Sequence, residues 1–161
     1  MTAWFAAEVS VHLDAVHRYF LRRAARQDAD DLTAEVFETA WRRRDDVPRD
    51  HELPWLYRTA GFVLANHRRR AKGLPLQLAE EPVDGDHAHR IAERDRISRA
   101  LAALSERDRE ILLLHAWEGL NGEELAEALG VSRSGAHAAL SRARARLRGI
   151  WGTAVQDGTD G

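Results

Sequence analysis

The chain contains no cysteine. That excludes a disulfide framework, thiolate chemistry and any thiolate metal site. Only four prolines are present, and each falls in a segment read below as a loop, a first helical turn or a linker. No apolar run approaches the ~20 residues needed to cross a bilayer. The N-terminal stretch MTAWFAAEVSVHLDAVHRYF carries acids and histidines inside its apolar pattern, unlike a secretory signal. The expectation is a cytoplasmic chain without membrane insertion. Strand-type alternation is nearly absent, so no sheet is expected. There is no strand–GxxxxGK[ST]–helix and no HExxH, the patterns of a phosphate-binding loop and a zinc hydrolase. The only tempting metal cluster is Asp84, Asp86, His87 and His89 in DGDHAHR, within the stretch read below as a linker between helical modules. An enzyme, a cofactor and a metal centre are therefore not expected.

What is present is helical periodicity and segregated charge. The 161 residues, 44% of them apolar, suffice for one medium domain or two small ones. The formal net charge is only −2, but it is a sum over blocks. Asp28, Asp30, Asp31, Glu35 and Glu38 form an acidic run without a base. Arg68, Arg69, Arg70 and Lys72 form a basic run without an acid. Glu80, Glu81, Asp84 and Asp86 form a second acidic run, and Ser132 to Arg148 is basic again. Blocks of alternating sign suit separate surfaces for separate partners.

Apolar spacing predicts a first helix from about Ala3 to Arg26, with Val9, Leu13, Val16 and Phe20 inward. A second helix opens at Asp28 or Asp30, places Leu32, Val36, Phe37, Ala40 and Trp41 inward, and ends near Asp45. After a polar loop holding Pro48, Pro54 fits the first turn of a third helix. That helix runs to about Ala71 on a stripe of Leu56, Ala60, Val63 and Leu64, joined by Trp55 or Thr59. Gly73 to His89, with Gly73, Pro75, Pro82 and Gly85, reads as a linker. Arg90 to Leu104 forms the next helix, with Ile97, Leu101 and Leu104 inward. Ser105 caps a further one, with Asp108 in the capping-box position, and Gly119 closes it. The fold class is all-α: a three-helix bundle over 1–72, a linker over 73–89, a four-helix module over 90–150 and a tail over 151–161.

Within the second module, NGEELAEALGVSRSGAHAALSRARARLR (Asn121 to Arg148) reads as a helix-turn-helix. Asn121 and Glu124 suit a capped start, Leu125, Ala126 and Leu129 an apolar face, and Gly130 a left-handed stop. Ser132 caps the second helix. Ala136, Leu140, Ala143 and Leu147 face a core, while Arg133, Arg142, Arg144, Arg146 and Arg148 lie on the other side. A basic second helix of this kind enters the DNA major groove, where arginines reach phosphates and guanine edges. A second nucleic-acid surface lies at ANHRRRAK. Asn66 offers both a donor and an acceptor to a base edge, and Arg68 to Arg70 suit phosphates. Trp55 on the same helix is either a core residue or a platform for an unstacked base. Acids of the second helix would be repelled by DNA and suit a basic protein surface.

These motifs, in this order, resemble the bacterial sigma factors of RNA polymerase, in the extracytoplasmic-function group. DADDLTAEVFETAWRR is similar to the polymerase-binding helix of region 2, and LPWLYRTAGFVLANHRRR to the helix that recognises and opens the −10 element. LSERDREILLLHAWEGLNGEELAEALGVS with SRARARLR is similar to region 4, which reads the −35 element. The resemblance implies that Asp30, Asp31, Glu35, Phe37 and Trp41 dock on core RNA polymerase. It implies that Trp55, Asn66, His67, Arg68, Arg69 and Arg70 face melted −10 DNA, with the loop from Asp46 to Leu53 holding a flipped base. Arg133, Ser134, His137, Ser141, Arg142 and Arg144 would approach the −35 groove. The linker would run near the nascent RNA, and an anti-sigma protein is an implied partner. The rival is a helix-turn-helix regulator that never engages polymerase. The chain departs from the family pattern in SRSGAHAAL, where His137 replaces a common lysine and Ala139 a common arginine. Gly135 inside a helix is expected to cost about 1 kcal/mol against alanine. These departures predict an unusual −35 sequence or weak intrinsic affinity for it.

Overall fold

The computed structural model describes residues 2–71 and 87–157; of residues 87–89 and 153–157 only the backbone is described. All secondary structure among the described residues is helical. The chain opens with a short helix α1 (Thr2–Trp4), a π-helical stretch Phe5–Val9 and a 3₁₀ turn Ser10–His12. Then follow α2 (Leu13–Leu21), α3 (Arg26–Arg42) and α4 (Glu52–Arg70). After the undescribed stretch come α5 (His87–Ala102), α6 (Glu106–Ala116), α7 (Gly122–Leu129) and α8 (Arg133–Asp157). The described residues divide between two compact units. The first holds α1 to α4 with Ala126–Val131, and the second holds the remainder from α5 on.

In the first unit, α2, α3 and α4 pack pairwise. Val16, Tyr19, Phe20, Val36, Ala40, Leu56 and Ala60 are fully buried there. Each large side chain so removed from water contributes about 1.5–3 kcal/mol. Tyr19 is the centre of the aromatic packing: it stacks on Tyr57 at 5.6 Å and meets Phe20 edge-on at 5.2 Å.

The continuous helix expected from Ala3 to Arg26 is corrected. It passes through π and 3₁₀ turns, stops at Leu21, and α3 already begins at Arg26 with Ala25 in an extended conformation. No glycine or proline marks this stop. Arg23 supplies it instead: its guanidinium lies 3.7 Å from the centre of the Tyr19 ring and donates to the Tyr19 carbonyl at 3.1 Å. A cation on the last carbonyls of a helix satisfies orphan acceptors and complements the dipole. Leu13, expected inward, is 49% exposed, since the 3₁₀ turn before it shifts the helical phase.

In the second unit, α8 packs on both α5 and α6. Ile111, Leu125, Ala136 and Ala143 are almost completely buried. The Ser105 hydroxyl caps α6 by accepting from the Asp108 amide at 3.1 Å, and Arg109 closes α5 by donating to the carbonyls of Leu101 and Leu104. Gly119 and Gly130 take the left-handed conformation, at φ +71° and +68°, where a Cβ would be strained. Val131 returns its amide to the Ala126 carbonyl at 3.0 Å, as in a Schellman ending. Ser132 caps α8 by accepting from the Gly135 amide at 3.0 Å. Gly135 thus sits in the first turn, so the helix-interior penalty expected for it does not apply in full.

Four further expectations are corrected. Ile97 is 46% exposed; Ala100 is buried beside the expected Leu101 on α5, and the expected Leu104 is buried just beyond the helix. Leu129 is only half-buried, while Ala128 is buried. Helix α8 continues to Asp157 rather than ending near Ile150, because Gly149 and Gly152 weaken a helix without breaking it. Helix α5 starts at His87, inside the stretch read as linker. The rest of that linker, with Asp84 and Asp86, and the side chains of His87 and His89 lie outside the described residues.

Candidate polymerase and nucleic-acid interfaces

On α3, the acidic residues Asp31, Glu35 and Glu38 recur at helical spacing. Asp31 and Glu38 are exposed and Glu35 is half-buried. Asp30 is held by His17, whose Nε2 lies 2.8 Å from a carboxylate oxygen. Phe37 is half-buried. Trp41, expected inward, is 39% exposed. Its ring meets Phe5 edge-on at 5.1 Å, and the Arg44 guanidinium sits 4.4 Å above it. The N-terminal π turn therefore gives Trp41 a partner that helical spacing on α3 did not reveal. The result is an acidic face edged by a partly exposed indole.

The last turns of α4 carry the first basic cluster, where cations complement the helix dipole. Asn66, Arg69 and Arg70 are exposed, and Arg69 donates to the Asn66 side-chain oxygen. His67 and Arg68 turn inward. His67 Nε2 lies 3.5 Å from an Asp28 carboxylate oxygen, and Arg68 donates to the Arg23 carbonyl at 3.4 Å. They tie α4 to α3 and to the turn after α2. Trp55 is corrected: it is 7% exposed, with the Arg43 guanidinium 5.7 Å from its ring centre. A ring covered in this way offers no face to a base. Phe62 on the same helix is 61% exposed. The loop before α4 is ordered by its own polar groups. Asp50 adopts φ +70°, a conformation that aspartate tolerates better than most residues. Its amide donates to Glu52 at 3.2 Å, and Arg43 pairs with Asp46 at 3.1 Å.

On α8, all six residues expected at a DNA groove are exposed: Arg133, Ser134, His137, Ser141, Arg142 and Arg144. Arg133, Ser134 and His137 also line an open cleft of about 870 Å³ whose floor includes Leu125 and Leu140. Two arginines are engaged by α6. Arg144 donates to His115 Nε2 at 2.7 Å, while the opposite ring nitrogen lies 2.9 Å from the Leu120 carbonyl. One neutral tautomer satisfies both contacts, with Nδ1 donating and Nε2 accepting. Arg146 reaches both oxygens of the Asp108 carboxylate, at 2.9 and 2.7 Å. Asp108 is therefore a buried anchor for α8 as well as a residue of the α6 cap. Ala139 is 7% exposed, so its place is in packing and not on the outward face.

The sequence matches the family model for sigma-70 region 2 over residues 9–73 and that for sigma-70 region 4 over residues 94–147. It is 30% identical over 152 residues to the RNA polymerase sigma factor NccH of Alcaligenes xylosoxydans xylosoxydans, covering 83% of this chain and 82% of that one. The chain belongs to the sigma-70 family. It is also 24% identical over 155 residues to the ECF RNA polymerase sigma factor SigM of Bacillus subtilis, covering 91% and 94% of the two chains. This places the sigma factor in the extracytoplasmic-function group. A probable sigma factor RfaY of Xanthomonas campestris is 31% identical over 132 residues, 74% of this chain, and the chain spans 33% of that protein's length. The fold is shared with the sigma factor RpoE of Bartonella quintana, solved in complex with the anti-sigma factor NepR. The TM-score is 0.65 and the identity 22%, over 91% of this chain and 95% of that one.

In this sigma factor the outward residues of α8 separate from those that hold the helix in place. Sequence spacing put Arg144 and Arg146 on one basic face with Arg142. What it missed was the pair of acceptors on α6, His115 and Asp108. Asp108 stands among Glu106, Arg107, Arg109 and Glu110 in the first turn of α6, so nothing in the sequence marked it as a buried acceptor. Replacing His137 with lysine puts a permanent cation on the exposed face. Duplex −35 affinity is expected to rise roughly fivefold at 0.1 M salt, with a salt slope steeper by about 0.9. Fluorescence anisotropy over a salt series measures both; unchanged affinity and slope would contradict the placement of His137.

Proposed function

We propose that this sigma factor binds core RNA polymerase and directs promoter recognition and strand opening at the −10 and −35 elements. The observation that carries the proposal is the presence, in one chain and in order, of region 2 and region 4 matches, each bearing an outward basic helix face. The acidic face of α3, with Asp30, Asp31 and Glu35 beside Phe37 and Trp41, is the proposed polymerase contact. Asn66, Arg69 and Arg70, in the last turns of α4, are the proposed contacts to the opened −10 strand, and the loop from Asp46 to Leu53, at the opposite end of that helix, is the proposed holder of a flipped base; His67 and Arg68 hold α4 in position. Arg133, Ser134, His137, Ser141 and Arg142 are the proposed −35 contacts. Arg144 would join them by exchanging His115 for a phosphate.

The protein performs no bond chemistry in this account. RNA synthesis belongs to the polymerase, and the sigma factor supplies positioning and strand capture in the cytoplasm. An anti-sigma protein is a further proposed partner, by analogy with the Bartonella protein. Two substitutions separate the DNA surfaces. Arg142→Ala is expected to weaken duplex binding and lower the salt slope by about 0.9. Asn66→Ala is expected to slow open-complex formation about tenfold, the low end of a lost base contact, while duplex binding changes less than twofold. Gel filtration of the purified protein with core polymerase tests the proposal as a whole. Co-elution supports it. Separate elution, with any inhibitory partner removed, would leave a helix-turn-helix regulator that does not engage polymerase.

A further inference from the structure

The turns that precede α2 reach the loop that precedes α4. Trp4 and Phe5 are both half-buried, and both lie before residue 9, where the region 2 match begins. Phe5 grips the helix that enters the loop, through its edge-on contact with Trp41 at 5.1 Å. Trp4 reaches the loop itself: the Arg49 guanidinium lies 4.4 Å from its ring centre. Arg49 stands at the tip. The His51 amide donates to the Pro48 carbonyl at 3.3 Å, so Arg49 and Asp50 are the central pair of a tight turn. Asp50 has φ +70° there, a conformation that only glycine takes freely. A residue so placed persists when its surroundings hold it. The two ends of the loop hold themselves. Arg43 pairs with Asp46, Val47 is 5% exposed, and the Asp50 amide donates to Glu52. The Arg49 side chain is exposed, and the Trp4 ring is its one side-chain partner among the described residues.

We propose that Trp4 is a positioning residue for strand opening: by holding Arg49 on its indole, it fixes the tip of the loop in the shape that receives the flipped base. The inference rests on the reading of that loop as the holder of a flipped base. A loop ordered before the base arrives binds it without a further ordering cost. A loosened tip loses that advantage, and loses it most for the base that fits. The contact therefore acts on base preference and on the rate of opening. It leaves duplex recognition by α8 alone, since neither residue belongs to that unit.

The test uses the full-length protein assembled with core polymerase. Open-complex formation is timed on promoter fragments that carry each of the four bases in turn at every −10 position. Trp4→Ala is expected to slow opening with the preferred flipped base about fivefold, the upper end for an exposed cation–π contact. Opening with the least preferred base should hardly change, so the preference ratio falls by the same factor. Trp4→Phe keeps a ring under the guanidinium and should stay within about twofold of the unaltered protein. Arg49→Gln, which leaves the N-terminal turns intact, should reproduce the loss, and the double variant should lose no more than either single one. Additive losses, or an unchanged preference in Trp4→Ala, would overturn the proposal by making Arg49 a direct strand contact. A rate that falls equally for all four bases would overturn it by marking a general loss of structure. Asp50→Pro separates this from failure of the underlying reading, because proline cannot adopt φ +70° and so disrupts the tip directly. If Asp50→Pro abolishes the preference while Trp4→Ala and Arg49→Gln keep it, only the role of Trp4 fails. If Asp50→Pro also keeps it, the loop holds no base and that reading fails as well.

Discussion

Replacing Trp55 with alanine is expected to destabilise the first unit by about 3–5 kcal/mol, the cost of deleting a buried tryptophan. For a domain of this size, 3 kcal/mol lowers the melting temperature by roughly 12–24 °C. The indole is 7% exposed and lies against Arg43, close in sequence to the fully buried Leu56. Strand binding by this variant would fall at elevated temperature, but through unfolding. At low temperature, where the fold persists, its affinity for single-stranded DNA should stay within about twofold of the unaltered protein, since no base reaches the ring. Calorimetric melting with strand titration below the transition separates loss of fold from loss of a base contact. An unchanged melting temperature for Trp55→Ala together with a large loss of affinity would make Trp55 a strand contact instead of a core residue.

The second large effect concerns Arg146. Its removal leaves the Asp108 carboxylate, whose side chain is 9% exposed, without the guanidinium that contacts both its oxygens. Breaking a buried ion pair from one side costs about 3–5 kcal/mol. Arg146 is itself 56% exposed, so water reaches the site and the loss should be nearer 2–3 kcal/mol. Arg146→Ala should therefore destabilise the second unit more than Arg142→Ala, although both arginines lie on the same basic helix. In the Arg146→Ala background, Asp108→Asn should recover part of the loss because no buried charge is left. A denaturant-unfolding double-mutant cycle reads the coupling. The duplex salt slope of Arg146→Ala should stay unchanged when measured under conditions where the protein is folded. A fall of about 0.9 would make Arg146 a phosphate contact instead.

Both effects show where local pattern carries information and where it does not. The caps at Ser105 and Ser132 and the left-handed glycines 119 and 130 were legible because each depends on atoms within a few residues. The helical stripes were legible for the same reason, and they fixed the class of fold. The stop at Leu21 was not, because Arg23 makes it with a side chain that sequence patterns count as a solvent-facing cation. The facing of Trp41 depends on Phe5, and that of Trp55 on the chain folded around it, so neither follows from spacing within one helix. The basic face of α8 looked uniform for a related reason. Asp108 and Arg146 are 38 residues apart, and nothing local to either pairs them. Most charged residues of the three candidate surfaces do lie on exposed helix faces, since charge blocks follow the surface of a helix whatever the core does.

Run-off transcription, with purified core polymerase, this protein and a promoter library, tests the central claim most directly, because polymerase binding, recognition and strand opening must all occur for a transcript to appear. The account predicts discrete transcripts that require this protein and start downstream of a shared pair of sequence elements. Transcription no greater than that of core polymerase alone, from a preparation free of any inhibitory partner, would contradict it.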